Sequence, residues 1–438
     1  MKRLFIKTLG CQMNEYDTLK IYNILNNTHN LKLTNKINNA NILILNTCSI
    51  RNKSQEKAFS EICKWKNLKK INKQIIIILT GCLATQEGKN LHKKLPFINI
   101  IIGTQTIHKI PELINKTIIN YKKKDSLIDI SFPKIEKFNY ILTKKYSSFI
   151  SISEGCNRYC TYCIVPYTRG KEIHRQFKNI ITEALILSKK GIKEIILLGQ
   201  NVNNYEGTIN NTNKTNLSLL VYYIDKIKSI KRIRFITSHP LSLSNNIIQL
   251  YAKIKKLANN IHLPMQSGSN KILKLMKRGY KIQDYISKIN FLKKERKNIT
   301  ISTDIIIGFP EENHQNFLET LNIIKYVKFD KSYSFLYNKR PNTKAIKIND
   351  TTNYSEKKER LKIVQLLLHK YTIIQSKKMI NNKYTILYIG KSKNKKYIKG
   401  KTENNRIIQI INKNNKIKNT IKITVTKIKN NLLEGNII

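Results

Sequence analysis

The segment at residues 156–163 is CNRYCTYC, which places Cys156, Cys160 and Cys163 in a CxxxCxxC spacing. It directly follows a strand-like apolar run, and an aromatic residue, Tyr162, precedes the last cysteine. Three thiolates so close together can hold a metal centre and leave one coordination position for a small molecule. The remainder of the 438-residue chain can be interpreted outward from this segment.

Three kinds of chemistry fit this spacing. A four-iron, four-sulfur cluster held by three thiolates keeps one iron without a protein ligand. Zinc sites usually pair a CxxC with a second CxxC or with two histidines, whereas no cysteine and no close histidine pair follows Cys163. A disulfide scaffold is typical of short secreted chains, and a chain of this length with seven cysteines does not need one. We therefore favour the iron–sulfur cluster, with zinc or plain thiols as the alternatives.

The charge of the chain bears on its partner. Its formal net charge is +54, from 81 Lys and Arg against 27 Asp and Glu. Such an excess favours a polyanionic partner, and nucleic acid is the usual one. Lys, Ile, Asn and Tyr are all abundant and share A/T-rich codons, so genome drift also contributes to the charge. The sign of the charge favours RNA, while its size proves little.

The sequence also bears on location. No segment approaches the roughly 18 consecutive apolar residues of a membrane span. The first ten residues are too short and too polar for a signal peptide. Free, clustered cysteines are typical of a reducing compartment. We expect a cytoplasmic protein with no membrane segment.

The first part of the chain, residues 1–120, is predicted to be a doubly wound α/β domain. Strand-like runs alternate with helical stretches, which is typical of a parallel sheet covered on both faces. The strands are predicted at residues 3–8, 41–45, 74–80 and 98–102, and the helices at 15–25, 53–70 and 85–94.

Three cysteines follow the first three of these strands. They are Cys11, Cys48 and Cys82, and each stands just past the end of its run. Ligands of open α/β sheets bind at the carboxyl ends of the strands, so these cysteines are expected to converge on one edge. The alternative is three buried structural cysteines, since free Cys is a common core residue. Cys63 falls in the middle of a predicted helix and is expected to be structural or surface filler.

Residues 140–375 are predicted to form a partial (β/α)6 barrel. Six strand-like runs alternate with helices, and chemistry in barrels lies at the carboxyl ends of the strands. The runs are at residues 148–153, 194–198, 232–236, 260–263, 300–307 and 332–336. Polar or turn-forming residues lie at or just after their ends, among them Gln200, Asn201, His239, His262 and Gly308. Each has an ordinary structural explanation, but their shared rim favours cofactor binding as a group.

The last part, residues 376–438, follows a predicted long helix at 357–378 and changes to a strand pattern. Five short strands predict a small all-β barrel of OB type. They are predicted at residues 384–389, 396–399, 406–411, 421–427 and 432–437. The many lysines can follow RNA phosphates while Tyr388, Tyr397 and Arg406 stack on bases. The alternative is a solvated basic module.

With these parts placed, the chain resembles the radical S-adenosylmethionine methylthiotransferases over nearly its full length. The matching motifs are GCQMNE at 10–15, NTCSIR at 46–51, GC at 81–82, CIVPYTRG at 163–170 and LGQNV at 198–202. Within the family, residues 46–51, 166–170 and KTENNR at 401–406 look most like the branch that modifies isopentenyladenosine in tRNA. Branches acting on threonylcarbamoyl-adenosine or on a ribosomal-protein aspartate are alternatives. A non-enzymatic iron–sulfur RNA-binding protein is a third possibility.

The resemblance implies two 4Fe-4S clusters and S-adenosylmethionine as cofactors. It assigns a radical cluster, which binds S-adenosylmethionine, to Cys156, Cys160 and Cys163. It assigns an auxiliary cluster, which carries the sulfur to be inserted, to Cys11, Cys48 and Cys82. The implied reaction removes the hydrogen from carbon 2 of an isopentenylated adenine beside the anticodon and forms a carbon–sulfur bond there. A second S-adenosylmethionine would supply the methyl group.

The resemblance also implies contacts and partners. The residues expected near S-adenosylmethionine are Tyr162, Gln200, Asn201 and Gly308. The C-terminal barrel corresponds to a TRAM domain, whose expected RNA contacts are Lys401, Asn404, Asn405 and Arg406. The expected partners are tRNA and an electron donor such as flavodoxin or ferredoxin, and we expect a monomer.

Three positions depart from the pattern of that family. Glu311 stands where a glycine usually follows the Gly-Phe-Pro turn, and Lys339 and Asn342 stand where proline and glycine are usual. All three are predicted to lie in loops. They bear on the contacts to S-adenosylmethionine and substrate and not on the cysteines.

Overall fold

A computed structural model describes most of the chain. It covers residues 2–49, 52–119, 126–132, 146–209, 213–350, 352–392, 397–411, 420–429 and 432–438. Three sequence predictions fall partly outside these residues: the end of the motif at 46–51, the boundaries at 120 and 140, and the strand predicted to begin at 396.

The N-terminal domain is a six-stranded parallel sheet with the strand order β2-β1-β3-β4-β5-β6. Helices α1 and α4 pack on one face and α2 and α3 on the other, which confirms the doubly wound fold. The sheet includes β6, which lies beyond the predicted boundary at residue 120. The elements are β1 Arg3–Thr8, α1 Gln12–His29, β2 Lys32–Leu33, β3 Ile42–Thr47, α2 Asn52–Ile71, β4 Ile76–Gly81, α3 Cys82–Lys94, β5 Ile100–Ile102, α4 Ile110–Ile119 and β6 Leu127–Asp129.

The central strands of this sheet show why the sequence forms it. Every residue of β3 and β4 is buried, because helices cover both faces and continuous apolar runs fill the space. β1, β3 and β4 are neighbours in register, with Thr8 opposite Asn46 and Thr47 opposite Gly81. Their carboxyl ends therefore lie side by side at one edge of the sheet.

The central domain is an open barrel of parallel strands, as predicted. β7, β10 and β13 form one sheet, while β14 pairs with β15 and β16 pairs with β17. The elements are β7 Ser147–Ser151, β8 Ser153–Glu154, α5 Val165–Arg169, β9 Ile173–His174, α6 Phe177–Lys189, β10 Glu194–Leu198, β11 Glu206–Ile209, β12 Asn213–Asn216, α7 Leu217–Asp225, β13 Arg232–Phe235, α8 Asn245–Lys253, β14 Asn260–His262, α9 Asn270–Leu275, α10 Ile282–Glu295, β15 Thr300–Ser302, β16 Asp304–Ile307, α11 His314–Val327, β17 Tyr333–Leu336 and α12 Tyr354–Lys377.

One predicted strand of the barrel is divided in two. The run at 300–307 breaks at Thr303, between β15 and β16. The hydroxyl of Thr303 accepts a hydrogen bond from the Met265 amide at 2.8 Å and donates one to the Leu263 carbonyl at 3.0 Å. This side chain takes the place of a regular ladder bond, so the chain passes from one strand pair to the next.

The C-terminal domain is a closed five-stranded barrel with the order β18-β19-β20-β22-β21, which confirms the predicted all-β fold. Isoleucine, leucine and valine side chains fill its interior. The strands are β18 Lys383–Lys391, β19 Tyr397–Lys401, β20 Ile407–Ile411, β21 Thr420–Lys429 and β22 Leu432–Ile437.

Packing between the domains positions the site. Met13 and Tyr16 of α1 share a small apolar cluster with Ile196 and Leu198 of β10, so the N-terminal domain lies against the barrel strands. Among the described helices, none combines the length and apolar character that a membrane span requires.

Candidate active site

The CxxxCxxC loop connects β8 to α5 and is closed at its base. The Cys156 amide donates to the Gly170 carbonyl at 3.2 Å. Gly155 has a φ of +80°, and a β-carbon there would lie 2.0 Å from the Lys171 carbonyl oxygen. Only glycine fits this position, which brings the two ends of the loop together.

The middle of the loop is held at Thr161. Its amide and hydroxyl donate to the carbonyls of Met276 and Leu275 at the end of α9, at 3.1 and 2.8 Å. Its carbonyl accepts from the Ala345 amide at 2.9 Å. Two neighbouring segments thus fix the part of the loop that carries the cysteines.

The thiols of the loop are buried, where a thiolate needs a compensating positive charge. Burial raises the pKa of the Cys156 thiol and raises that of Cys163 to about 12. Metals bind thiolates, so these buried groups need nearby positive charge. Arg278 supplies part of it, with Nη1 3.6 Å from the Cys160 sulfur. The donor set therefore fits a metal cluster.

Buried polar atoms without hydrogen-bond partners lie in β8 and in the segments that follow β10 and β13. Within the described chain, four buried atoms there have no hydrogen-bond partner: Ser153 Oγ, Asn201 Oδ1, Ser238 Oγ and His239 Nε2. Buried polar atoms without partners in a native fold usually await water or a ligand. The rim of the barrel thus offers both donors and acceptors, which suits a polar ligand such as S-adenosylmethionine.

His239 is the best defined of these groups. Burial, followed by the charges of Arg278 and Arg158, lowers its pKa to about 2. Its Nδ1 accepts from the Leu241 amide at 3.2 Å, so the proton of the neutral ring is on Nε2. His239 is therefore a hydrogen-bond donor at the rim and not a base.

The predicted contacts to S-adenosylmethionine are placed as follows. Gln200 accepts from the Gly155 amide at 2.6 Å, which braces the cysteine loop. The Tyr162 hydroxyl lies 3.4 Å from Arg278. Asn201 is buried on the rim and donates to Ser242 at 3.3 Å.

Gly308 is packed more closely than the sequence suggested. Its amide donates to the Glu312 carboxylate at 2.5 Å. A β-carbon on Gly308 would lie 2.6 Å from carbons of the Lys357 side chain on α12. The turn is therefore fixed by protein contacts on two sides.

The three N-terminal cysteines lie at one edge of the sheet. Cys11 caps α1 after β1, Cys48 follows β3, and Cys82 begins α3 after β4. A β-carbon on Gly10 would lie 2.5 Å from that of Cys48, so the turns after β1 and β3 touch. Cys11 is exposed while the other two are buried, which leaves one open side.

A pair of asparagines ties these turns together. Asn14 Nδ2 donates to Asn46 Oδ1 and to the Thr47 carbonyl, at 3.0 and 3.1 Å. Asn46 Nδ2 donates back to the Asn14 carbonyl at 2.9 Å, and the Cys11 thiol lies 3.1 Å from Asn14 Oδ1. The motifs at 10–15 and 46–51 thus act together in placing the cysteines.

Two charged residues at this edge were not among the predicted site residues. Asp17, on the buried face of α1, forms a 2.6 Å ion pair with Arg169 at the end of α5. Burial raises the pKa of the Cys82 thiol, and Arg169 acts in the opposite direction through its charge and a hydrogen bond. The arginine belongs to the motif at 163–170, but no local pattern indicates that Asp17 is its partner.

The six cysteines predicted as ligands form two separate groups of three, one in the N-terminal domain and one in the central domain. Within the described ranges, no three His, Cys, Asp or Glu side chains are close enough to coordinate a single metal ion. A four-iron cluster places each of its thiolates on a different iron, so it needs a more widely spaced set than one ion does.

The residues predicted to contact RNA lie largely at a domain interface. Lys401 Nζ is 3.6 Å from Glu194, and Arg406 is ion-paired with Asp330. Both carboxylates belong to the central domain. Lys401 and Arg406 are largely withdrawn from solvent. Both charges are paired with carboxylates, and contact of either side chain with RNA stays a prediction. The sequence could not show this pairing, since a basic run looks the same when buried.

The neighbouring predicted residues belong to the same turn. Asn404 Oδ1 accepts from the Thr402 hydroxyl at 2.6 Å, and Asn405 has a left-handed φ of 65°. The Arg232 guanidinium of β13 donates to the carbonyls of Lys401 and Thr402 at 2.8 and 3.1 Å. The turn at 402–406 therefore docks the small barrel on the large one.

Comparison with known protein families identifies both larger domains. The model of Uncharacterized protein family UPF0004 matches residues 3–103, and that of the Radical SAM superfamily matches residues 150–324. Among solved structures, the radical S-adenosylmethionine methyltransferase TsrM from Kitasatospora setae has a TM-score of 0.57 at 10% identity, covering 79% of this chain and 75% of that one. The cobalamin-dependent S-adenosylmethionine radical enzyme OxsB has a TM-score of 0.52 at 13% identity, covering 84% and 56%. The fold and these matches define a radical S-adenosylmethionine protein.

Relatives in sequence narrow the class to a family. The tRNA-2-methylthio-N(6)-dimethylallyladenosine synthase of Francisella tularensis subsp. holarctica (strain FTNF002-00 / FTA) is 44% identical over 441 residues, covering 100% of this chain and 99% of the relative. The synthase of the same name from Francisella tularensis subsp. novicida (strain U112) gives the same identity and coverage. The chain belongs to the family of tRNA-2-methylthio-N(6)-dimethylallyladenosine synthases.

Proposed function

We propose that this protein methylthiolates carbon 2 of N6-isopentenyladenosine next to the anticodon of tRNA. The observation that carries the proposal is the presence of two groups of three cysteines in separate domains. One group is the CxxxCxxC loop of the barrel, and the other lies at the sheet edge of the N-terminal domain. An enzyme that both generates a radical and supplies sulfur needs two such sites. Full-length similarity to tRNA-2-methylthio-N(6)-dimethylallyladenosine synthases supports this reaction.

The two groups of cysteines would hold two 4Fe-4S clusters. Cys156, Cys160 and Cys163 are the proposed ligands of the radical cluster. Their loop is fixed at both ends and at its middle, so the thiols are held in position before metal binds. When bound, this cluster supplies the electron that cleaves S-adenosylmethionine.

Around that loop, the chain binds and orients S-adenosylmethionine. His239 donates from Nε2 and Asn201 accepts at Oδ1, both from buried positions on the barrel rim. Ser153 and Ser238 can do either. Gln200, Tyr162 and Gly308 act mainly by holding the loop and its neighbouring turn. The burial of this rim excludes water from the reacting groups.

Cys11, Cys48 and Cys82 are the proposed ligands of the auxiliary cluster. The asparagine pair places their turns, and the exposed position of Cys11 leaves an approach for substrate. The bound cluster would carry the sulfur that is inserted. The protein contributes position, since the adenine must reach both cysteine groups.

We assign RNA binding to the exposed basic surface of the C-terminal barrel. Lysines there would contact phosphates, and the adenine of an anticodon loop is already single-stranded and costs little to extract. Lys401 and Arg406 contribute by docking the barrel, and contacts by Asn404 and Asn405 stay a prediction. The other partner is an electron donor such as flavodoxin or ferredoxin, and we propose a cytoplasmic monomer.

The test uses a bacterial strain that makes isopentenyladenosine but lacks its own synthase. We expect the gene to restore 2-methylthio-isopentenyladenosine in digested tRNA, measured by mass spectrometry. Variants with alanine at either group of three cysteines serve as controls and should restore none. A methylthio group on threonylcarbamoyl-adenosine, or on a ribosomal-protein aspartate, would instead indicate a sibling enzyme. Metal binding without any S-adenosylmethionine cleavage would indicate a non-enzymatic RNA-binding protein.

A further inference from the structure

The two groups of cysteines are connected by one short helix. Cys163 is the last thiol of the radical loop, and α5, Val165–Arg169, follows it directly. At the far end of α5 the Arg169 side chain reaches the edge of the N-terminal sheet. A residue of the barrel domain therefore enters the site whose thiols come from the other domain.

The end of α5 is firmly held there. Arg169 is 4% exposed, and its Nη2 lies 2.6 Å from Asp17 Oδ2. Its carbonyl accepts from Gln105 Nε2 at 2.7 Å, and the Thr168 carbonyl accepts from Thr104 Oγ1 at 2.7 Å. Both donors come from the loop after β5, so backbone and side chain are fixed together.

The guanidinium of Arg169 acts on the thiols. Its charge lowers the pKa of the Cys82 thiol, against the effect of burial, and it also interacts electrostatically with Cys11. Arg340 of the barrel domain is 6% exposed and interacts electrostatically with Cys48. Its Nη1 donates to Gln55 Oε1 of α2 at 3.0 Å. Each of the three thiols thus interacts with the charge of a buried arginine from the barrel domain.

We propose that Arg169 is a positioning residue of the auxiliary site, which supplies positive charge from the barrel domain to the group held by Cys11, Cys48 and Cys82. Asp17 sets how much of the Arg169 charge that group experiences. The site is then complete only when the two domains are docked. The proposal rests on the assignment of the auxiliary cluster to these three cysteines.

The physical consequence is a shift of reduction potential. Reduction adds negative charge, and a buried cation nearby stabilises the reduced state because the interior screens charge weakly. Removing the Arg169 charge should therefore lower the potential of the auxiliary cluster. Removing the Asp17 charge should raise it. A purely structural role for the pair would not produce opposite signs.

The test is a redox titration of the reconstituted full-length protein, followed by electron paramagnetic resonance. The auxiliary signal is the one that persists when Cys156, Cys160 and Cys163 are replaced by alanine. We expect Arg169→Gln to lower its midpoint potential and Asp17→Asn to raise it. Arg169→Lys, which keeps the charge, should stay near wild type.

The control is Arg406→Gln, which removes another buried interdomain arginine and should leave the potential unchanged. If Arg169→Gln does not fold, Asp17→Asn carries the test alone. An unchanged potential in Asp17→Asn, or shifts of the same sign in both variants, would overturn the inference. If the variant with Cys11, Cys48 and Cys82 replaced binds as much iron as the wild type, the assignment of the auxiliary cluster to these cysteines fails instead.

Discussion

Arg169 Nη2 lies 2.6 Å from Asp17 Oδ2, and both side chains are at most 5% exposed. The pair joins the helix that follows the radical loop to the first helix of the N-terminal domain. Loss of one member would leave the other charged and buried without its partner. The ion pair is therefore a point where the two candidate sites and the two domains depend on each other.

The first prediction concerns stability. Arg169→Gln or Asp17→Asn alone should lower the free energy of unfolding of the metal-free protein by about 3–5 kcal/mol, because each leaves an unpaired buried charge. The double variant should lose less than the sum, since no charge is left unpaired. Urea denaturation followed by circular dichroism measures this. Strictly additive losses would show that the two side chains do not interact.

The second prediction concerns pH. Burial raises the pKa of Glu312 from 4.5 to about 7, against the opposing effects of the Gly308 amide and Arg360. Between these values the folded protein binds a proton that the unfolded chain has released, so stability falls as pH rises through this window. Glu312→Gln keeps an acceptor for the Gly308 amide. It should remove a fall in the free energy of unfolding on the order of 3 kcal/mol between pH 4 and 8.

The measurement for Glu312 is the free energy of unfolding at intervals across that pH range. Glu359→Gln, on the exposed face of α12, is the matched control and should keep the wild-type profile. If the profile of Glu312→Gln follows the wild type as well, Glu312 does not titrate in this window.

The third prediction concerns two departures from the family pattern. Glu311 and Asn342 have φ values of 66° and 65°, in the left-handed region where glycine is unstrained. Glu311→Gly should raise stability by roughly 1 kcal/mol, while Asn342→Gly should change little because asparagine tolerates this region. Thermal unfolding compares them. Glu311→Ala, which also removes the 3.7 Å contact with Lys271, should show no gain, and an equal gain would mean that backbone strain is not the cause.

The fourth prediction concerns RNA binding. Lys401 and Arg406 are paired with carboxylates at the domain interface, so they release no counterions from phosphate. Lys401→Met and Arg406→Gln should weaken tRNA binding without changing the slope of log affinity against log salt concentration. An exposed lysine of the same barrel, Lys422, is the comparison, and Lys422→Ala should make the slope less steep. A less steep slope for Lys401→Met would show instead that Lys401 contacts an RNA phosphate directly.

Much of the fold could be predicted because local patterns decide it. Continuous apolar runs predicted β3 and β4, since both faces of a parallel sheet are covered. The convergence of Cys11, Cys48 and Cys82 followed from their places at strand ends once the strands were taken as neighbours. The change from helical to alternating periodicity marked the start of the C-terminal barrel.

The rest depended on contacts that no local pattern carries. Asp17 and Arg169 are distant in sequence, and either one alone looks like an ordinary helix residue. In the sequence, Lys401 and Arg406 resemble part of a basic RNA-binding surface. Their carboxylate partners come from β10 and from the segment just before β17. The break at Thr303 depends on hydrogen bonds to a neighbouring segment. Each case is a tertiary contact formed by polar groups.

The most direct test of the two-site account is anaerobic iron and sulfide analysis of three proteins. They are the wild type, the variant with alanine at Cys156, Cys160 and Cys163, and the variant with alanine at Cys11, Cys48 and Cys82. The account predicts about eight irons in the wild type and about four in each variant, as two four-iron clusters require. About four irons in the wild type, falling to none in the first variant, would contradict it and make the N-terminal cysteines structural.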